Sequence, residues 1–155
     1  MNEEIKHVSM GCVECVDGIT VGYTVSYPLR IWDAGRSTSR RPKQKDDCTV
    51  RALVAAWGDP YDHVYDLLAA AGRKCGRGFN ISVWLNARPT LFTKIPFPAV
   101  KGQRRMNPVT FVQQYPTGTY ICQVAKHVFA VVDGVVIDTF ESRCDRCIYA
   151  AWRVL

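Results

Sequence analysis

Cys48, His127 and Asp138 are residues whose types, order and settings could together carry covalent chemistry. A cysteine thiolate attacks a carbonyl, an imidazole moves the proton, and a carboxylate orients the ring. His127 and Asp138 lie in KHVFAVVDGVVIDTF, residues 126–140, which otherwise reads as a buried β-hairpin around an Asp-Gly turn. With Asp133-Gly134 as the turn, Val132 faces Val135, Phe129 faces Asp138 and His127 faces Phe140. Side chains alternate along a strand, so His127, Phe129, Asp138 and Phe140 share one face. His127 and Asp138 are then diagonal neighbours, with Cβ atoms roughly 7–8 Å apart, within reach of an imidazole and a carboxylate. A buried structural pair and a base with its orienter both fit that geometry.

Cys48 follows Asp46 and Asp47, which stand where helix N-caps belong, and opens CTVRALVAAW. Free N–H groups and the helix dipole at such a position favour a thiolate and can bind an oxyanion. The two aspartates oppose a further negative charge, and a His127 imidazolium would compensate. Each residue also has a plainer reading: Cys48 as packing, His127 as a strand histidine, Asp138 as a strand end. His7 falls in an expected tail and His63 on a solvated helix face. Cys122 reads as core, and Cys75, in RKCGRG, as a weaker alternative nucleophile.

The elements that must position this set follow from pattern. Asp17-Gly18 leads into ITVGYTVSY, an alternating strand. Val50, Leu53, Val54 and Trp57 recur at helical spacing, and Gly58 ends that helix. Asp59-Pro60 starts a second helix that Gly72 ends, and Asn107-Pro108 starts a third over PVTFVQQY. Residues 80–106 resist assignment, because prolines at 89, 96 and 98 interrupt any long element. Trp84, Phe92 and Phe97 read there as pocket walls or core. TYICQVA, HVFAVV, VVIDTF and finally IYAAWRVL are strands. Strand, helices and then an antiparallel run of strands make an α+β arrangement, with residues 1–155 as one domain.

Seven cysteines include two pairs, Cys12-Val-Glu-Cys15 and Cys144-Asp-Arg-Cys147. Two Cys-x-x-Cys pairs match the ligand set of a structural zinc site, which would tie residues 12–27 to 144–155. Redox disulfides and packed thiols are the alternatives. The net charge of +6 owes much to Arg36, Arg40, Arg41, Lys43 and Lys45, an uninterrupted basic run. Such a run is either a solvated loop or a contact for nucleic acid, phosphate or an acidic protein. It lacks interleaved aromatics, which argues against single-strand binding.

DDCTVRAL followed by GTYICQVAKHVFAVVDGVVIDTF resembles the small papain-like cysteine hydrolases, especially the uncharacterised kind encoded by bacteriophages. The resemblance spans roughly residues 44–140, with 46–140 as the catalytic core. It implies helices packed on an antiparallel sheet, Cys48 as nucleophile, His127 as base and Asp138 as orienter. It also implies a Gln or Asn shortly before the cysteine to complete an oxyanion hole. Pro42, six positions before Cys48, cannot serve, and Gln44, four before, is the candidate. The expected activity is peptidase or amidase chemistry on a peptide or protein, a host protein for a phage product. The runner-up is a non-catalytic protein of the same fold holding an acidic host protein or nucleic acid through residues 36–45.

With 48% hydrophobic and 22% charged residues, the chain has the composition of a globular domain and not of a disordered one. No apolar run approaches the roughly 20 residues a spanning helix needs, so no membrane partner is expected. MNEEIKHVSMGC opens with acids and lacks an apolar segment, so a cytoplasmic location is expected, the host cytoplasm for a phage product.

Overall fold

Two Asp-Gly dipeptides organise the strands. Asp17 and Gly18, and again Asp133 and Gly134, adopt left-handed backbone at both positions (φ 51°, 77°, 47° and 77°). That is the geometry of the tight turn whose twist matches two antiparallel strands, and Asp and Gly tolerate it best. The first turn joins β1 (Ile5–Val16) to β2 (Ile19–Ile31). The second joins β5 (His127–Val132) to β6 (Val135–Asp138). Val132 faces Val135 and Ala130 faces Ile137, the register the turn dictates.

The computed structural model describes residues 4–97 and 100–155; Pro98, one of the expected breakers, lies outside the described residues. With β3 (Phe92–Ile95), β4 (Thr119–Val124) and β7 (Ala150–Val154), the strands form one seven-stranded sheet ordered β1-β2-β6-β5-β4-β7-β3. The expected purely antiparallel sheet is corrected: β2 runs parallel to β6, and the other neighbours are antiparallel. Between β2 and β6 the chain passes through all the helices, the long crossover a parallel pair requires. The described fold is α+β with four helices: α1 (Cys48–Trp57), α2 (Tyr61–Ala70), α3 (Ile81–Asn86) and α4 (Pro108–Gln114).

Local chemistry sets the helix ends. Gly58, at φ 75°, ends α1 with its N–H on the Val54 carbonyl. Asn107 and Thr110 form a reciprocal capping box on α4, which begins with Pro108. Pro60 is the N-cap of α2, and Asp59 before it approaches the exposed His63 at 3.5 Å. His7 lies in β1, exposed, and not in a tail. The segment that resisted assignment holds α3 and β3, both too short for periodicity to separate from loop.

The sheet carries a core on each face. Val50, Leu53, Leu68, Leu85, Ile121 and Trp152 are buried in one, under α1, α2 and α3. Trp84 and Phe92 belong to it, Trp84 meeting Trp57 edge-on and Phe92 meeting it at a tilt. Tyr27, Leu29, Phe111, Phe129 and fully buried Cys122 belong to the other, with Phe97 partly buried against it. Among the described residues no helix is long and apolar enough to cross a membrane.

Candidate active site

α1 starts where β5 begins and β6 ends, and this end-on meeting builds the site. Cys48 is the first residue of α1, His127 the first of β5 and Asp138 the last of β6. His127 Nε2 and Asp138 Oδ2 are 2.6 Å apart, and both residues are buried. The imidazole is flanked by Phe140, with ring centroids 4.7 Å apart. Since Nε2 is committed to the carboxylate, Nδ1 is the nitrogen left for Cys48, whose thiol is within hydrogen-bonding reach of the ring. Arg36, Gln44, Phe79, Lys126 and Phe140 help line a cleft of about 1120 Å³ over Cys48 and His127.

The electrostatics favour a thiolate–imidazolium pair. Burial works against a charged Cys48, yet His127, the Val128 backbone N–H and Arg51 together hold its pKa below the usual thiol value. Burial would likewise depress His127, but Asp138 and Cys48 raise its pKa to about 9.

The expected opposition from Asp47 is relieved by its partners. Asp47 precedes α1 but makes no side-chain cap. Its Oδ1 accepts from Arg36 Nη1 at 2.9 Å and Arg51 Nε at 3.0 Å, and its Oδ2 accepts from Tyr61 Oη at 2.7 Å. Burial and that hydrogen bond push the Tyr61 pKa upward, so the phenol stays a donor.

Arg51 was not among the expected site residues, although it stands at the centre of the arrangement. Its Nη1 donates to Asp138 Oδ1 at 3.1 Å and to Thr139 Oγ1 at 2.9 Å, while its Nε holds Asp47. Arg51 thereby ties the carboxylate that orients His127 to the helix that presents Cys48. The signal was legible: Arg51 is three residues after Cys48 and four after Asp47, the spacings that share a helix face.

Arg73 carries no such signal, because RKCGRG announces only a loop. It is buried, and its Nη2 donates to the Lys45 and Asp46 carbonyls at 3.3 and 3.2 Å. Its Nη1 lies 3.5 Å from Gln44 Oε1. Arg73 thus holds the segment that leads into Cys48, where Asp46 takes a left-handed turn at φ 52°. Gln44 lines the cleft with its amide oxygen turned to Arg73.

The other expected sites fare differently. Arg36 is spent on Asp47, and Arg41 clamps Asp62 and Asp66 at 2.7 and 2.6 Å with its guanidinium 4.0 Å over Tyr65. Arg40 lies 3.7 Å from Asp62. Lys43 and Lys45 carry no ion pair among the described residues, so the basic run is largely stitched to α2 and the start of α1. Cys12 and Cys15 both lie in β1, and three residues along a strand reverse the side-chain direction. Cys144 is buried against β1 with Sγ 3.5 Å from the Val8 carbonyl oxygen, Cys147 is half-buried and Cys15 is exposed. Cys12 lines one cleft with Cys147 and another with Cys144, and no group of three or more side chains that could hold a metal ion is found among the described residues. Cys75 is exposed on its loop, away from any such set.

No protein-family model, curated protein or solved structure matches this chain.

Proposed function

We propose that the protein is a papain-like cysteine hydrolase that cleaves an amide by acyl transfer through Cys48, His127 and Asp138. The observation that carries this reading is the 2.6 Å bond from His127 Nε2 to Asp138, which leaves Nδ1 toward a helix-start cysteine whose pKa is lowered. The Cys48 thiolate attacks the carbonyl carbon, and the oxyanion is received by the Cys48 backbone N–H and the Gln44 amide. The tetrahedral intermediate collapses, the C–N bond breaks, and His127 gives its Nδ1 proton to the leaving amine. Neutral His127 then takes a proton from water, whose hydroxide attacks the thioester and releases the acid and the thiolate. Asp138 keeps the ring in register, and Arg51 keeps Asp138 in register.

A peptide or protein segment suits an open cleft of this size, and for a phage product the substrate would be a host protein in the host cytoplasm. Zinc on the paired cysteines has no part in these steps. Nucleic-acid or acidic-protein binding by the basic run would rest on Lys43 and Lys45. The test is covalent trapping in a lysate: a host peptide recovered as a thioester on Cys48, and absent from Cys48→Ala, supports the reading. A lysate in which wild type and Cys48→Ala capture and cleave the same proteins equally contradicts it.

A further inference from the structure

The β1–β2 hairpin extends well beyond the sheet it joins. β2 pairs with β6 only through Leu29, Arg30 and Ile31, while the hairpin continues to the turn at Asp17-Gly18. The arm is amphipathic. Val8, Met10, Cys12, Glu14 and Val16 share a face with their partners Tyr27, Val25, Tyr23, Val21 and Ile19. Near the base this face is core: Val8 and Tyr27 are buried, with Met10 and Val25 packed against them. Tyr27 Oη also donates to the Ser142 carbonyl at 2.5 Å, which fixes the base. Toward the tip the same apolar face is open, with Val16, Ile19, Val21 and Tyr23 between 39% and 66% exposed. A two-stranded ribbon alone is marginal in water, and β1 is an edge strand of 12 residues with no proline to blunt it.

We infer that the free edge of β1 pairs antiparallel with β1 of a second copy of this chain, on a twofold axis at Met10. The sequence of the edge argues for this occupant. Pairing about Met10 sets Lys6 opposite Glu14 of the second copy, Val8 opposite Cys12, and Met10 opposite itself. The shared face becomes an apolar centre closed at each end by an ion pair. Shifting the register by two residues one way opposes Glu4 to Glu14; the other way it opposes Glu14 to Val8. Glu14 has no ion pair of its own among the described residues, and Lys6, which contacts Glu141, keeps about half its side chain exposed. His7 then faces Val13, the most exposed apolar side chain of the arm, on the other side of the extended sheet. This interface makes no use of Cys48 or His127 and stands apart from the proposed activity.

Sedimentation velocity on the full chain tests it. The wild type is expected to be a dimer. Lys6→Glu and Glu14→Lys each place like charges together twice across the axis and weaken the dimer by roughly tenfold or more. An equimolar mixture of the two variants re-forms a dimer, because each then meets its opposite, and the double variant Lys6→Glu/Glu14→Lys dimerises alone. Circular dichroism of each variant separates dissociation from misfolding, and the double variant keeps the test open if one single variant fails to fold. A monomeric wild type, or a dimer indifferent to these charges, overturns the inference.

Discussion

At one end of the sheet, Cys48, His127, Asp138 and Arg51 arrive from α1, β5 and β6, and each meets a partner. Along the arm, Cys12 and Cys15 leave β1 on opposite faces; Cys12 is half-buried beside Cys144, which is drawn in against the Val8 carbonyl, and Cys15 is exposed. Both regions carried suggestive spacings. Residue types at a given spacing mean different things on different elements: Cys-x-x-Cys in a turn converges, whereas in a strand it diverges. Three residues along α1 put Arg51 under Cys48; three residues along β1 put Cys15 away from Cys12.

Cys48→Ala should abolish turnover, on the order of 10⁶-fold in kcat if it acts like other nucleophile deletions. The corresponding Cys12→Ala should leave kcat unchanged, measured with the trapped substrate. Asp47→Ala strips Arg36, Arg51 and Tyr61 of a shared buried acceptor and should cost about 3–5 kcal/mol in chemical denaturation. Cys15→Ser, exposed and pointing away, should stay within about 0.5 kcal/mol of wild type.

A finer pair of predictions concerns pH. Acyl transfer needs His127 protonated, and its pKa is raised to about 9, so the rate should fall as pH rises through that value. Stability from the imidazolium, full below the ordinary histidine value of about 6.5, should be lost over the same rise. Arg51→Met removes a cation that lowers the Cys48 pKa, so the acid limb of Cys48 alkylation should move to higher pH. An unmoved limb would leave Arg51 as packing alone. The smallest effect expected is in metal content. One tightly held zinc per chain purified without chelator would support the structural site expected on Cys12, Cys15, Cys144 and Cys147, and a metal-free folded chain would leave them as thiols.

Much of the site was legible because it depends on local rules. An Asp-Gly turn fixes register, register fixes the face, and the face brings His127 to Asp138. A cysteine after two aspartates and before an apolar stripe fixes the helix start. The rest depends on contacts far apart in the chain. Nothing near Asp47 announces Tyr61 as its donor, and nothing in RKCGRG announces that Arg73 folds back on residues 44–46. The parallel β2–β6 pair was hidden for the same reason, since it joins segments separated by every helix. The ion pairs of the basic run were not legible, because Arg41 meets Asp62 and Asp66 of α2 and Arg36 meets Asp47, all at a distance in the chain.

The rate of Cys48 alkylation by iodoacetamide as a function of pH, read by mass mapping in wild type and His127→Ala, is the most direct test. The account predicts that wild-type Cys48 is labelled ahead of the exposed Cys15 and Cys75, at pH values below the ordinary thiol range. In His127→Ala that advantage should shrink by about tenfold for each unit the thiol pKa rises above the solution pH. Labelling of Cys48 no faster than free cysteine, and unchanged by His127→Ala, would contradict the activated pair on which the proposed function rests.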